Sequence, residues 1–191
     1  MPPSSCLQPC LDHPDRDELT AAAEASERIL RRHPNHPRAL HVLGMFASEN
    51  GQQEVAAVLL AKAVKSDSEN TDCMVDLGVV FARMGRWPDA VRCYKLALKK
   101  KPQDAGAWLR LGRALVAEGD IEGAAGSFRS ASALAPEDAA AHNSLGLMLQ
   151  LLGQFPASAD AFTAAARIEP EEKDHHLELA NSLLLAGELT R

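Results

Sequence analysis

The sequence predicts an all-α fold, a solenoid of stacked helix–turn–helix hairpins, and three observations support this prediction. A Leu-Gly pair recurs every 34 residues, and a second glycine series and a proline series keep the same step. The chain of 191 residues is 46% hydrophobic but only 4% aromatic, so any core must be built mainly from Ala, Leu and Val. Ala and Leu are residues that favour helices.

The repeat is visible at several positions that share one period. The Leu-Gly pairs are Leu43-Gly44, Leu77-Gly78, Leu111-Gly112 and Leu145-Gly146. The second glycine series comprises Gly51, Gly85, Gly119, Gly153 and Gly187. Bulky residues recur at Leu60, Tyr94, Phe128 and Phe162. A fixed period of this length indicates a repeat architecture, in which each unit is one supersecondary element.

Residues 105–138 show how one unit is expected to form its first helix. Asp104 is a good N-cap, because its carboxylate can accept a backbone N–H of the first turn. The apolar stripe of this helix consists of Trp108, Leu111 and Leu115, which are spaced by three and four. Gly119 follows where a left-handed C-cap residue is wanted, so the chain is expected to turn there.

The second helix of the same unit is expected to begin near Ile121 and to end at Pro136, which cannot continue the backbone ladder. Its stripe consists of Ala124, Phe128 and Ala131. Gly112 and Ala124 are small, so the two helices can approach closely. One hairpin cannot bury both of its stripes, and stacking such units would bury them in a continuous core.

These residues resemble the tetratricopeptide repeat, and the segment WLRLGRAL with Ala124, Phe128 and Pro136 is the closest match. One departure is Leu115, where tyrosine is usual. The resemblance implies a right-handed α-solenoid. It covers four full repeats, at residues 37–70, 71–104, 105–138 and 139–172.

The two ends of the chain depart from full repeats. Residues 1–14 are predicted to be a flexible leader, and residues 15–36 an N-terminal capping helix that matches the second half of a repeat. Residues 173–191 are predicted to form the first helix of a fifth repeat, with a turn at Gly187. The leucines of this partial repeat, at 183–185, have no solvating cap. The chain is therefore expected to be a fragment of a longer protein, to pair with another chain there, or to end in a frayed edge.

Composition and motifs exclude several classes of function. The net charge of −6 argues against a nucleic-acid binder, and no apolar stretch is long enough to cross a membrane. The four cysteines, Cys6, Cys10, Cys73 and Cys93, form no metal-ligand pattern and suggest a reducing, cytoplasmic location. No catalytic motif is present, so we expect a chain that is not an enzyme and binds no metal or cofactor.

Two groups of polar residues are given structural roles from the sequence. The basic run Lys99–Lys101 precedes Pro102 and is expected to complement a helix dipole, with the binding of acidic partners as the alternative. His142 and His176 occupy the position that Trp108 has in its repeat, so we expect them to be partly buried packing residues.

The resemblance further implies that one face of the first helices lines a concave groove. The groove residues expected in this chain are Arg38, His41, Met45, Asp72, Asp76, Arg83, Arg110, Arg113, Asn143, Leu147, Gln150 and Asn181. Arg110 and Arg113 share one helix face and could hold a carboxylate of a ligand. Alternatively, Asp72 and Asp76 on the preceding repeat could neutralise them.

The resulting hypothesis is a non-catalytic module that binds a peptide or helix of another protein in this groove. An alternative is the N-terminal targeting region of a larger enzyme, such as a glycosyltransferase similar to O-linked N-acetylglucosamine transferase, or a sulfotransferase. This alternative is implied by resemblance alone. A third option is a scaffold that self-associates through its leucine-rich C-terminal end.

Overall fold

The computed structural model describes residues 16–189, which form ten α-helices and no β-strand. In chain order the helices are α1 (Arg16–Arg32), α2 (Pro37–Glu49), α3 (Gln53–Ser66), α4 (Thr71–Arg83), α5 (Trp87–Lys100), α6 (Ala105–Glu118), α7 (Ile121–Leu134), α8 (Ala139–Leu151), α9 (Phe155–Ile168) and α10 (Lys173–Leu189). The predicted all-α class of helical hairpins is confirmed. The predicted leader 1–14, with Cys6 and Cys10, lies outside the described residues.

The described residues divide into two compact units, one up to Lys100 and one from Lys101 onward. The first unit contains α1 to α5, in which α2 packs against α3 and α4 packs against α5. The second contains α6 to α10, in which α6 packs against α7 and α8 against α9. Within each unit the hairpins also contact one another, through α3 with α4 and through α7 with α8. Each predicted 34-residue repeat therefore holds one hairpin.

Glycines with a left-handed backbone end the first helix of four hairpins. The φ angles are 77° at Gly51, 71° at Gly85, 81° at Gly119 and 71° at Gly153. A side chain at such an angle is strained, so glycine is the residue that fits. The predicted turn at Gly187 was wrong, because α10 continues through this residue as far as Leu189.

Aspartates fix where the helices of the third hairpin begin. The Oδ1 atom of Asp104 accepts a hydrogen bond from the Ala107 N–H at 2.9 Å, as expected for an N-cap. Asp120 plays the same part for α7, since its Oδ1 accepts from the Gly123 N–H at 2.8 Å. Both helix starts are thus set by side chains that satisfy otherwise unpaired backbone donors.

The core of each unit is built from small and aliphatic residues with one large residue per second helix. In the first unit the main buried cluster consists of Leu40, Ala47, Ala56, Ala57, Leu60, Ala63, Cys73, Leu77 and Val80. In the second unit Leu111, Leu115 and Phe128 are buried, as the stripes of the third repeat predict. The low aromatic content is therefore sufficient, because one bulky side chain fills the interior of each hairpin.

The position shared by Trp108, His142 and His176 has a role that the sequence did not reveal. In each case the ring N–H donates to the carbonyl of the proline six residues earlier, at 2.8 Å to Pro102, 3.1 Å to Pro136 and 2.9 Å to Pro170. The position therefore holds the turn that precedes its helix.

Trp108, His142 and His176 are more exposed than a position on the core stripe implies. Trp108 and His142 are half-buried, but His176 is exposed, so the expectation of partial burial was wrong for His176. The neighbouring histidine, His175, is buried instead, and its Nε2 donates to Glu169 Oε2 at 3.1 Å.

Candidate functional site

In the first unit, two predicted groove residues form a pair between α2 and α4. The His41 side chain is only 1% exposed, and its Nε2 donates to the Oδ2 atom of Asp76 at 2.7 Å. The Asp76 side chain remains 36% exposed. His41 therefore cannot itself line an accessible groove; it orients the carboxylate of Asp76, which does reach the surface.

A second pair joins the same two helices near their C-terminal ends. The Nη1 atom of Arg83 donates to Ser48 Oγ at 2.9 Å and to Glu49 Oε1 at 3.2 Å. Residues that occupy corresponding repeat positions, about 34 apart, thus bond across neighbouring first helices. A first helix carrying such pairs presents groups whose positions are already set.

The remaining predicted residues of the first unit differ in their exposure. Arg38 and Met45 on α2 are half-buried, whereas Asp72 on α4 is exposed. The first-helix face of this unit is therefore mixed, with one sulfur-containing apolar residue among charged ones.

In the second unit, Arg110 and Arg113 lie exposed on α6. Among the described residues of this unit, 101–189, neither guanidinium forms a hydrogen bond or an ion pair. Arg110 lies along its own helix, because a β-carbon added to Gly106 would come within 3.0 Å of the Arg110 Nη1 atom. Asp76, one of the acids that the sequence offered as a neutralising partner, bonds to His41 in the first unit.

The other predicted residues of the second unit lie on α8 and α10. Gln150 links these helices, since its Nε2 donates to Ser182 Oγ at 2.8 Å and to Glu178 Oε2 at 3.1 Å. Asn143 and Leu147 are half-buried on α8, and Asn181 is exposed on α10. An open cavity of about 450 Å³ adjoins this link and is lined by Gln150, Leu151, Phe155, Glu178, Asn181, Leu184 and Leu185.

A basic cavity in the first unit was missed from the sequence. It measures about 480 Å³ and is lined by Arg28, Ile29, Arg31, Arg32, His33 and His36. We call it the arginine cleft. The compact basic run of the sequence is Lys99–Lys101, whereas the arginines of this cleft are recognised by their spacing of three and four on one helix.

No feature of the described residues points to metal or thiol chemistry. Residues 16–189 hold no group of three or more His, Cys, Asp or Glu side chains placed to bind a metal ion. Cys73 and Cys93 are free cysteines. Burial raises the pKa of the Cys93 thiol to about 11 and raises the pKa of the Cys73 thiol further, so neither is a ready nucleophile. None of the described helices combines the length and apolar character required to cross a bilayer.

The family model of the tetratricopeptide repeat matches the chain over residues 15–71, 75–136, 110–167 and 151–191. The resemblance seen in the residues is thereby confirmed over nearly the whole chain. No curated protein is significantly similar to the chain in sequence.

Solved structures share the fold at low sequence identity. A structure described as YrrB, a TPR protein with an unusual peptide-binding site, has a TM-score of 0.78 at 19% identity, covering 86% of this chain and 85% of that one. MamA from Desulfovibrio magneticus RS-1, residues 41 to the end, has a TM-score of 0.75 at 22% identity, covering 89% and 94%. A further MamA structure has a TM-score of 0.75 at 21% identity, covering 83% and 92%. At these identities the likeness establishes the fold.

Proposed function

Because the chain belongs to the tetratricopeptide repeat family, we propose that it is a non-catalytic module that binds a peptide or helix of another protein. The contact surface would be the first-helix face of each unit, which carries the groove residues expected from the sequence other than the buried His41. The peptide-binding site named for YrrB is in keeping with this proposal. We also propose a cytoplasmic location, supported by the free cysteines Cys73 and Cys93.

The observation that carries the proposal is that Arg110 and Arg113 are both exposed on α6. Two exposed guanidiniums three residues apart on one helix face, without a partner in their own unit, can hold a carboxylate through charge-assisted, bidentate hydrogen bonds. Val116 is exposed three residues further along and Leu109 is half-buried beside them. The surface therefore suits a peptide with an acidic residue next to an apolar one.

The test is quantitative capture of partner proteins by the purified full chain. The variant Arg110→Glu with Arg113→Glu is expected to lose the partners that wild type retains, because the acidic replacements repel a carboxylate. The matched control is Arg129→Glu with Arg167→Glu, which reverses the same charge on exposed positions of the second helices α7 and α9. Equal recovery with wild type and both variants would reject the α6 arginines as contacts.

A second candidate function, self-association, is favoured by one observation on α10. Leu183 is 56% exposed, whereas its counterparts one and two repeats earlier, Leu149 and Leu115, are 2% and 4% exposed. Those two leucines lie on α8 and α6, which pack against the helices that follow them, α9 and α7. We propose that a second copy of the chain covers this apolar face.

Light scattering over a range of protein concentrations tests the self-association. Wild type is expected to increase in mass with concentration, and Leu183→Glu with Leu184→Glu is expected to stay monomeric. The control, Val55→Glu with Val58→Glu, alters exposed apolar residues on α3 and should behave as wild type. A wild-type chain that is monomeric at every concentration contradicts the proposal.

A further inference from the structure

The arginine cleft concentrates positive charge in an acidic chain. From Arg28 to Ser48 the sequence holds four arginines and three histidines but no Asp or Glu, although the net charge of the whole chain is −6. The residues that line the cleft come from the last turns of α1 and from the turn before α2. None of its described lining residues is acidic.

The hydrogen-bonding groups of the cleft are largely uncommitted. Arg28 donates from Nε to the Glu24 carbonyl at 3.4 Å, a bond that leaves its terminal nitrogens unused. Within the described part of the first unit, the side chains of Arg31, Arg32 and His33 form no hydrogen bond or ion pair. These side chains carry donors and no acidic partner, which is the chemistry of an anion site.

His36 adds a donor without needing to be charged. Its Nδ1 accepts a hydrogen bond from the Ala39 N–H at 3.3 Å, so Nδ1 carries no proton. The proton of the neutral ring is then on Nε2, which is left as a donor. The residue that caps α2 thus also supplies an N–H to the cleft that it lines.

The helix dipole accounts for only part of this cluster. Cations are favoured in the last turn of any helix, and the positions equivalent to Arg31–His33 two repeats later are the lysines 99–101, whereas α3 has only Lys65 as a basic residue there. One repeat after Arg32 and His33, the chain has Ser66 and Asp67. In the lysine run, Lys100 pairs with Glu69 and Lys101 with Asp104, so the arginine cluster differs in lacking acidic partners among the described residues.

We propose that the arginine cleft binds a short acidic segment of a peptide, whose carboxylate or phosphate groups pair with Arg28, Arg31 and Arg32. The volume of about 480 Å³ suits a few residues, and Ile29 offers apolar contact to their backbone. This site lies in the first unit and does not depend on Arg110 or Arg113. A peptide is favoured over a nucleic acid, because the described lining residues include no Phe, Tyr or Trp on which bases could stack.

The experiment is a fluorescence-anisotropy titration in which the full chain is added to one of three labelled peptides. These are six glutamates, six phosphoserines and, as the neutral peptide, six glutamines. Both acidic peptides are expected to bind, and the neutral one is not. Arg28→Glu with Arg31→Glu is expected to weaken binding about tenfold or more, as loss of charge-assisted bonds requires. Circular dichroism checks that the helices are retained, and Arg31→Gln with Arg32→Gln provides a milder variant.

The matched control is Lys62→Glu with Lys65→Glu. These lysines are exposed on α3 and lie 34 residues after Arg28 and Arg31, so the control makes the same charge change at the same helical positions. If Lys62→Glu with Lys65→Glu weakened binding as much as Arg28→Glu with Arg31→Glu, the loss would follow from net charge alone, and the proposal would be overturned. Tighter binding of a hexathymidine oligonucleotide that is lost in the same arginine variant would also overturn it, in favour of a nucleic-acid site.

Discussion

The ring of Phe128 lies directly against Gly112, where an added β-carbon would come within 2.5 Å of the Phe128 Cε1 atom. The same contact recurs in the other hairpins, with Leu60 against Gly44, Tyr94 against Gly78 and Phe162 against Gly146. Two of the sequence series, the Leu-Gly glycines and the bulky residues, are therefore the two sides of one contact. Glycine is retained in the middle of a helix because any side chain would push the second helix away.

Replacing Gly112 with alanine should destabilise the chain even though alanine is the better helix former. The β-carbon would overlap the rigid Phe128 ring, and overpacking of this kind costs about 1–3 kcal/mol. The larger substitution Gly112→Leu should cost at least as much. Urea denaturation followed by circular dichroism measures the loss in free energy of unfolding.

Gly126 on α7 provides the control for this prediction. It also lies within a helix, but nothing lies within 4 Å of a β-carbon added there. Gly126→Ala should therefore stabilise the chain by up to about 1 kcal/mol through helix propensity alone. If Gly112→Ala proved as stable as Gly126→Ala, the contact with Phe128 would not be a constraint.

The sequence predicted those features that depend on backbone position and missed those that depend on side-chain direction. The period identified Gly112 and Gly119, because a close helix contact and a left-handed turn each demand one residue type. It missed the bond between His41 and Asp76, since a spacing of 35 residues does not reveal which side chains converge. The turn expected at Gly187 failed for a related reason: glycine permits a left-handed angle but does not impose it.

Gly119→Ala and Gly187→Ala separate these two roles of glycine. Both positions have no atom within 4 Å of an added β-carbon, but only Gly119 has a positive φ, of 81°. Alanine at Gly119 should cost about 1–2 kcal/mol of stability from backbone strain. Alanine at Gly187 should be neutral or stabilising, because α10 is helical there. Thermal unfolding of the two variants decides the matter, and a similar loss at Gly187 would restore the turn predicted there.

Removal of the Asp76 carboxylate should leave the buried His41 Nε2 without its partner. An unsatisfied buried donor costs about 1–3 kcal/mol, so Asp76→Ala should be destabilised by that amount. Asp76→Asn keeps an acceptor oxygen and should lose less. The double variant His41→Phe with Asp76→Ala should recover part of the loss, because it removes both polar partners. Chemical denaturation of these variants and of the single variant His41→Phe provides the comparison, and a double variant that lost the sum of both single effects would show that the pair is not coupled.

Burial of Cys93 should make its thiol slow to react in the folded chain. Its pKa is raised from an ordinary 9.0 to about 11, chiefly because burial disfavours the charged thiolate. At pH 9.0 half of an unperturbed thiol is ionised, but only about one part in a hundred of folded Cys93 is. Because the thiolate is the form that reacts, iodoacetamide should label Cys93 about 50-fold more slowly in the folded chain than in urea. Mass spectrometry of the labelled peptides measures each cysteine separately.

The same pKa shift implies that alkali weakens the fold. The unfolded chain ionises Cys93 above pH 9.0, whereas the folded chain keeps it neutral until about pH 11. The stabilising contribution is therefore complete below the lower value and is lost as the pH rises towards the upper one. Cys93→Ala should show a smaller decline in free energy of unfolding than wild type across this interval. Parallel declines in the two proteins, together with equal labelling rates in buffer and in urea, would mean that the thiol is not shielded.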